Sequence, residues 1–199
     1  MKNIVIAAKE TDFEKALAAV FTREGYHVHS ASDLPSDFNE PIEYLLDTTD
    51  KYNEEDTFTL TGGINADVIE QTLRENVLVS MALLERFLPQ LDAGQGKRLF
   101  YISSAEASIN ETHAERGYGY RMSKAALHQF LQMTWNKLTP KGYTLRLFDP
   151  MTEDVLPHAA AEAAYHYVTR RRGMENEDGR RDDEDRLVLR DAFGRAHGW

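Results

Sequence analysis

Short apolar runs alternate along the chain with longer segments of helical spacing, and this alternation restricts the fold more than any other feature. The runs that predict strands are residues 2–7, 26–31, 42–46, 98–102, 143–148 and a short one at 186–189. The segments that predict helices are residues 13–23, 66–87, 120–138 and 159–168. Strands separated by helices are joined by right-handed crossovers into a parallel sheet covered on both faces. The sequence therefore predicts an α/β fold with a doubly wound parallel sheet.

Length and composition narrow the class of protein. The chain has 199 residues, of which 42% are hydrophobic, and this predicts one domain with an ordinary core. No apolar run approaches the roughly 18–20 residues of a membrane span. The charged residues Lys9 and Glu10 follow the first apolar run, which indicates a buried strand rather than a signal peptide. The absence of cysteine fits a cytoplasmic protein, and the net charge of −10 disfavours nucleic-acid binding.

Tyr120 and Lys124 open a predicted helix after a long polar loop. Residues at i and i+4 lie one turn apart on the same face, and a cation beside a phenol lowers the phenol pKa. Such a pair can exchange a proton with a substrate oxygen, although surface pairs with this spacing also arise by chance. Ser103 and Ser104 end a predicted strand, where a parallel sheet faces its ligand crevice. Asn76 lies inside the preceding helix, where asparagine is a poor helix former.

Three segments together resemble the short-chain dehydrogenase/reductase family: residues 75–77 (Glu-Asn-Val), 99–104 and 118–127. The stretch 105–119 is similar to the carbonyl-reductase-like subgroup that is related to the bacterial C-factor. The resemblance implies a Rossmann-like sheet. It also implies oxidation of an alcohol or reduction of a carbonyl with NAD or NADP as the cofactor.

The same resemblance implies roles for individual residues. Tyr120 would be the general acid and base, and Lys124 would lower its pKa and hold the nicotinamide ribose. Ser104 would orient the substrate oxygen, with Ser103 as the second candidate for that role. Asn76 would hold a water in the proton relay.

The loop between the first strand and the first helix departs from the family pattern. The family has Gly-x-x-x-Gly-x-Gly there, whereas this chain has Ala8, Asp12 and Glu14 at the glycine positions. Glycine lets the backbone approach a pyrophosphate closely. Thr11 and Glu14 instead form a capping-box pattern, which predicts that the helix amides are bonded within the chain. The alternative is a different loop path that admits a dinucleotide, with Ala8 and Asp12 at its phosphates.

Three further differences weaken the expected cofactor pocket. The family's Asn-Asn-Ala-Gly after the third strand is Asp47-Thr48-Thr49-Asp50 here, and its usual Pro-Gly is Pro150-Met151. Only residues 32–41 connect the second and third strands, which predicts a sheet shortened at its edge-strand side. If a dinucleotide binds, Asp33 would favour NAD over NADP, because an acid there repels a 2′-phosphate.

Two functions stay open at this point. The first is an oxidoreductase that moves hydride between NAD or NADP and a small-molecule carbonyl or alcohol. The second is a degenerate relative that binds no dinucleotide normally and acts as a binding or scaffold protein, or in non-redox acid/base chemistry.

Partners and metals follow from weaker signals. We expect a homodimer, because helices 66–87 and 120–138 carry much apolar surface and symmetric dimers are the commonest oligomers. His27 and His29 share one strand face, but no further metal ligand is obvious in the sequence, so no metal is expected. The charged stretch 170–186 is expected to be a solvated loop.

Overall fold

The computed structural model describes residues 2–8, 10–59, 61–151, 153–170 and 186–198, and in this part of the chain seven strands form one sheet. The strands are β1 (Lys2–Ile6), β2 (Tyr26–Ser30), β3 (Tyr44–Asp47), β4 (Arg98–Ile102), β5 (Thr144–Asp149), β6 (Leu189–Asp191) and β7 (Ala196–His197). The helices are α1 (Asp12–Arg23), α2 (Ala66–Leu73), α3 (Val79–Ala93), α4 (Tyr118–Leu138) and α5 (Pro157–Thr169). A π-helical turn, Arg74–Leu78, joins α2 to α3, and 3-10 turns lie at Ala105–Ala107 and Thr139–Lys141.

The strand order explains where a ligand crevice forms. The strands lie in the order β2-β1-β3-β4-β5-β6-β7, and all neighbours are parallel except β6 and β7. The chain order reverses between β1 and β3, and open α/β sheets bind ligands outside the carboxyl ends of the strands at such a switch point. β2 is the edge strand, as the short connection 32–41 predicts. The prediction of a doubly wound α/β sheet is confirmed.

Two apolar layers cover the sheet, because alternate side chains of each strand face opposite ways. Val5, Leu45 and Leu99 belong to the layer that packs against α3 and α4. Ile4 and Phe100 belong to the other layer, which packs against α1 and α5. All five residues of β4 are buried, as expected for a central parallel strand covered on both faces.

The helix predicted at 66–87 differs most from its prediction. It continues to Ala93, and the π-helical turn around Asn76 interrupts it. Pro89 does not end the helix; a proline inside a helix forfeits one backbone hydrogen bond, and packing of α3 on the sheet compensates for this. The helix ends at Gly94, where a β-carbon would lie 2.0 Å from the carbonyl oxygen of Ile42. Glycine is therefore required where this helix end meets the segment entering β3.

The chain end differs from its prediction in one respect. The last parallel strand is residues 189–191 rather than 186–189, and an antiparallel strand, β7, follows it. Of the predicted charged loop 170–186, residues 171–185 lie outside the described residues. No helix in the described ranges has both the length and the apolar character needed to cross a membrane.

Candidate functional site

Two adjoining cavities open at the carboxyl ends of the parallel strands. The first, which we call the α1 cavity, has a volume of about 620 Å³ and lies between the start of α1 and residues 48–51. The second, the Tyr120 cavity, has a volume of about 810 Å³ and lies in front of Ser104 and Tyr120. Asp50 and Pro150 line both cavities, so the two meet at these residues.

The amino end of α1 is capped from within the chain. The Thr11 side chain accepts a hydrogen bond from the Glu14 backbone N–H at 3.2 Å. Oε2 of Glu14 accepts from the backbone N–H of Thr11 at 2.8 Å and from that of Glu10 at 2.9 Å. The predicted capping box is confirmed, and the Glu10 and Thr11 amides just before α1 already bind a carboxylate.

The Glu14 carboxylate is held on its other side as well. Its Oε1 accepts a hydrogen bond of 2.6 Å from the hydroxyl of Thr48, and the residue is only 5% exposed. Burial acts to raise the pKa of Glu14, but the hydrogen bonds from Thr48, Thr11 and Glu10 outweigh it, and the pKa is lowered. Glu14 therefore stays ionised, and its negative charge lies at the positive end of the α1 dipole.

The other residues predicted at a dinucleotide lie apart from one another. Ala8 and Asp12 line the α1 cavity, with Asp12 exposed in the first turn of α1 and 3.8 Å from Lys15. Asp33 is exposed on the turn after β2, where it accepts a hydrogen bond of 3.1 Å from the Ser32 hydroxyl. It does not line the α1 cavity. The structure thus places Asp33 away from the residues with which the sequence grouped it.

Tyr120, Lys124 and Asp50 form one hydrogen-bonded group. The Tyr120 hydroxyl donates to Oδ1 of Asp50 at 2.9 Å, and Nζ of Lys124 lies 2.9 Å from the same oxygen. Nζ of Lys124 also lies 5.7 Å from the centroid of the Tyr120 ring. The spacing of Tyr120 and Lys124 in α4 therefore brings both side chains to one point, as predicted, but a carboxylate lies between them.

That carboxylate reverses the expected effect on the phenol. Lys124 was expected to lower the pKa of Tyr120; instead, burial, followed by the charge of Asp50 and its hydrogen bond, raises the pKa of Tyr120 well above its ordinary value. The expectation is wrong because Tyr120 is buried and because the positive charge of Lys124 is paired with Asp50. The negative charge of Asp50 in turn opposes formation of a phenolate. In this arrangement Tyr120 is a hydrogen-bond donor.

Lys124 is fully buried and its ammonium group has three acceptors. Besides Asp50, these are the backbone carbonyl of Thr49 at 3.0 Å and that of Ile102 at 3.4 Å. An ammonium group has three N–H donors, so this set satisfies it. The lysine thereby connects the ends of β3 and β4 to α4.

Asn76 holds the segment that carries Asp50. Its amide oxygen accepts from the backbone N–H of Lys51 at 2.8 Å, and its Nδ2 donates to the Lys51 carbonyl at 2.8 Å and to the Ser123 hydroxyl at 2.9 Å. The residue is fully buried in the π-helical turn. These contacts make Asn76 a positioning residue for Lys51 and its neighbour Asp50. They also engage the amide oxygen and nitrogen that were predicted to hold a water.

The two serines have different surroundings. Ser104 is half-buried, lines the Tyr120 cavity, and accepts a hydrogen bond of 3.1 Å from the Glu106 backbone N–H. Ser103 is buried, and its hydroxyl lies 2.6 Å from Nε2 of His128. Burial, then the charge of Lys124, lowers the pKa of His128 to about 4. Both serines line the Tyr120 cavity, but the Ser103 hydroxyl is held by His128 of helix α4, and Ser104 is the more exposed of the two.

Sequence reasoning missed the role of Asp50. Its position within residues 47–50 marks a departure from the family pattern, but the sequence alone indicates no partner for it, because Tyr120 lies 70 positions away. Tyr52 was also missed; it is exposed, lines the Tyr120 cavity, and its ring lies 5.5 Å from that of Tyr120 in an edge-to-face arrangement.

His27 and His29 lie close together on β2, with ring centroids 4.2 Å apart. Each lies near Oδ1 of Asn3, at 3.3 Å and 3.4 Å. Within the described ranges, no group of three or more histidine, aspartate or glutamate side chains is arranged to hold a metal ion.

Comparison with known proteins supports the fold more strongly than the activity. No family model matches the chain. C-signal of Myxococcus xanthus is 28% identical over 89 residues, which cover 45% of this chain and 54% of that protein, so the chain spans about half the length of this curated relative.

Solved structures are similar over the whole chain. Carbonyl reductase Sniffer of D. melanogaster has a TM-score of 0.78 at 14% identity, with 100% of both chains covered. A carbonyl reductase from Pseudomonas aeruginosa PAO1 in complex with NADP has a TM-score of 0.72 at 16% identity, again with 100% of both chains covered. The chain therefore has the Rossmann-like fold of the short-chain dehydrogenases/reductases, and the resemblance drawn from its sequence is confirmed at the level of the fold.

Proposed function

We propose that this chain, which has the fold of the short-chain dehydrogenases/reductases, is a member of that family that binds a small molecule in the Tyr120 cavity without a dinucleotide. The observation that carries the proposal is the Glu14 carboxylate, which accepts hydrogen bonds from the Glu10 and Thr11 amides at the start of α1. That helix start borders the crevice between β1 and β3, where this fold binds phosphates.

The residues present do not fit NAD or NADP. The Glu10 and Thr11 amides just before α1 are bonded to Glu14, and the exposed carboxylates of Glu10 and Asp12 lie beside them. One carboxylate about 4 Å from a phosphate costs roughly 1 kcal/mol in water and about 4 kcal/mol at an effective dielectric constant of 20. In addition, the Tyr120 hydroxyl donates its hydrogen bond to Asp50, and the Lys124 ammonium forms an ion pair with the same carboxylate. We therefore derive no hydride-transfer step for this site.

The remaining chemistry of the site is binding or non-redox proton transfer. Asp50 offers a carboxylate to both cavities, Tyr120 stays protonated and orients that carboxylate, and Lys124 balances its charge. Ser104 adds a hydroxyl on the wall of the Tyr120 cavity. With a volume of about 810 Å³, that cavity lies within the roughly 300–1,000 Å³ range of small-molecule sites.

Binding of NAD, NADH, NADP and NADPH tests the proposal directly. We expect no thermal shift and no heat of binding with any of the four at millimolar concentration, whereas a ligand at 100 times its dissociation constant adds about 2.7 kcal/mol of stability. The NADP-binding carbonyl reductase from P. aeruginosa serves as the positive control. Asp12→Gly combined with Glu14→Gly is expected to gain affinity, because the double variant frees the amides and removes two negative charges. If its affinity does not change, the account of the self-capped helix is wrong.

The second candidate function is an NAD(P)-dependent reductase or dehydrogenase for a carbonyl or alcohol. One observation favours it: Ser104 and Tyr120 line one cavity, as the family resemblance implies, and Lys124 lies next to Tyr120, where it contacts Asp50. Saturable NADPH binding that is lost in Lys124→Ala, together with carbonyl-dependent NADPH oxidation that is lost in Tyr120→Phe, would establish this function and refute the first.

A homodimer remains a proposal. The described surface exposes Leu78 at the end of the π-helical turn, Met81 in α3, and Met122 and Met133 in α4, each between 42% and 62% accessible. Burial of these side chains across a two-fold axis would stabilise a dimer. Light scattering coupled to size-exclusion chromatography measures the mass, and Met81→Glu is expected to shift a dimer towards the monomer.

A further inference from the structure

We propose that Asp50 selects the ligand of the Tyr120 cavity and that this ligand is a small organic cation with N–H donors and an aromatic or apolar body. The inference rests on the proposed function, since a bound dinucleotide would compete for the same groups. It adds the chemical class of the ligand and names the residue that recognises it.

The donors that contact Asp50 are already used. The Tyr120 hydroxyl donates to Asp50, and the three N–H groups of Lys124 point to Asp50 and to the carbonyls of Thr49 and Ile102. A carbonyl or carboxylate ligand that binds at Tyr120 or Lys124 would need one of these donors, and it would have to break a charge-assisted bond to obtain it. The arrangement therefore disfavours an oxygen-acceptor ligand at these two residues.

An acceptor, by contrast, is available. Tyr120 and Lys124 both contact Oδ1 of Asp50, and among the described residues no donor is hydrogen-bonded to Oδ2. The Asp50 side chain is 35% exposed at the junction of the two cavities. A carboxylate with one oxygen fixed and the other open is suited to accept a hydrogen bond from an ammonium or amidinium group.

Charge and shape favour the same ligand class. Six carboxyl groups line the Tyr120 cavity, those of Asp50, Glu106, Glu115, Asp149, Glu153 and Asp154. Two arginines, Arg116 and Arg121, line it too, and buried Lys124 neutralises one more acid, which leaves a formal charge of −3. A cleft of one sign concentrates ligands of the opposite sign.

Tyr52 supplies the apolar surface beside this carboxylate. The residue is 57% exposed and lines the cavity. A cation beside an aromatic face is attracted by the ring quadrupole. Tyr52 and Asp50 thus present a ring and a charge to the same ligand.

Three probes of the same shape separate the ligand classes. Benzamidine is a cation with N–H donors, benzamide is neutral, and benzoate is an anion. Calorimetry with the full chain is expected to show benzamidine binding at least about tenfold more tightly than benzamide, because a hydrogen bond between two charged groups is stronger than one to a neutral amide. Benzoate is expected not to bind.

Variants assign the effect to Asp50. Asp50→Asn is expected to weaken benzamidine binding at least about tenfold and to leave benzamide unchanged, and Tyr52→Ala is expected to weaken both. Asp37→Asn removes the same charge from an exposed loop outside both cavities and should change neither. Circular dichroism and thermal unfolding show whether each variant is folded, and Tyr52→Ala keeps the test valid if Asp50→Asn is not.

Several results would overturn the inference. These are preference for benzamide or benzoate, equal benzamidine binding by wild type and Asp50→Asn, and no binding of any probe at millimolar concentration. None of these results restores dinucleotide binding, so failure of this inference is distinguishable from failure of the proposed function, which the NAD and NADP titrations measure separately.

Discussion

Replacing Glu14 with alanine is expected to lower the free energy of unfolding by about 3 kcal/mol. The carboxylate accepts three hydrogen bonds, from the Glu10 and Thr11 amides and from the Thr48 hydroxyl, at distances of 2.6–2.9 Å. Hydrogen bonds to charged groups contribute roughly 1.5–3 kcal/mol each, but the adjoining cavity lets water replace part of this, which leaves about 1 kcal/mol per bond.

Urea unfolding followed by circular dichroism measures this change. With a slope of about 2–3 kcal/mol per molar urea, the midpoint should fall by about 1 M or more. Glu10→Ala is the matched control: its side chain is 76% exposed at the same helix end, and only its backbone amide contacts Glu14. We expect that variant to stay within about 0.5 kcal/mol of wild type.

The pH dependence adds an independent test of the same carboxylate. The pKa of Glu14 is lowered in the folded protein from its ordinary value of 4.5. Its contribution to stability is therefore complete above about pH 4.5 and is lost as the pH falls through the lower, folded-state pKa. In Glu14→Gln, the part of the stability loss below about pH 4.5 that comes from Glu14 should be absent. If Glu14→Ala is as stable as Glu10→Ala, or if Glu14→Gln loses stability below pH 4.5 as wild type does, the Glu14 carboxylate does not stabilise the start of α1.

Two further predictions concern the residues that position the site. Asn76→Ala removes three hydrogen bonds of a fully buried amide. It is expected to lower the free energy of unfolding by about 2–4 kcal/mol, measured by urea titration. A decrease below about 1 kcal/mol would show that Asn76 does not hold the segment that carries Asp50. The pKa of His128 is lowered from 6.5 to about 4, so its contribution to stability is complete above pH 6.5 and is lost as the pH falls through about 4. NMR titration of the His128 ring measures this pKa, and a value near 6.5 would contradict the buried contact with Ser103.

The fold was predictable because its signals are local. The apolar run at residues 98–102 coincides with β4, and the capping pattern of Thr11 and Glu14 is satisfied within three residues. The extension of α3 to Ala93 was not predictable in this way: Pro89 is a helix breaker by local rules, but packing of α3 on the sheet overrides that preference.

The site was predictable only in part, for the same reason. Ser104, Tyr120, Lys124 and Asn76 could each be singled out by residue type and spacing. The protonation of Tyr120 and the partners of Tyr120 and Lys124 could not, because these depend on Asp50, which lies 70 positions before Tyr120 in the chain.

Local patterns in the sequence are enough to predict the doubly wound sheet, the self-capped start of α1 and the pairing of Tyr120 with Lys124 on one turn of α4, since each depends on residues close together in the chain. What those groups do depends on contacts that form only when the chain folds. Folding places the Asp50 carboxylate between the phenol and the ammonium, and the electrostatic field at a buried group is set by whatever charges folding brings near it, however distant they are in sequence.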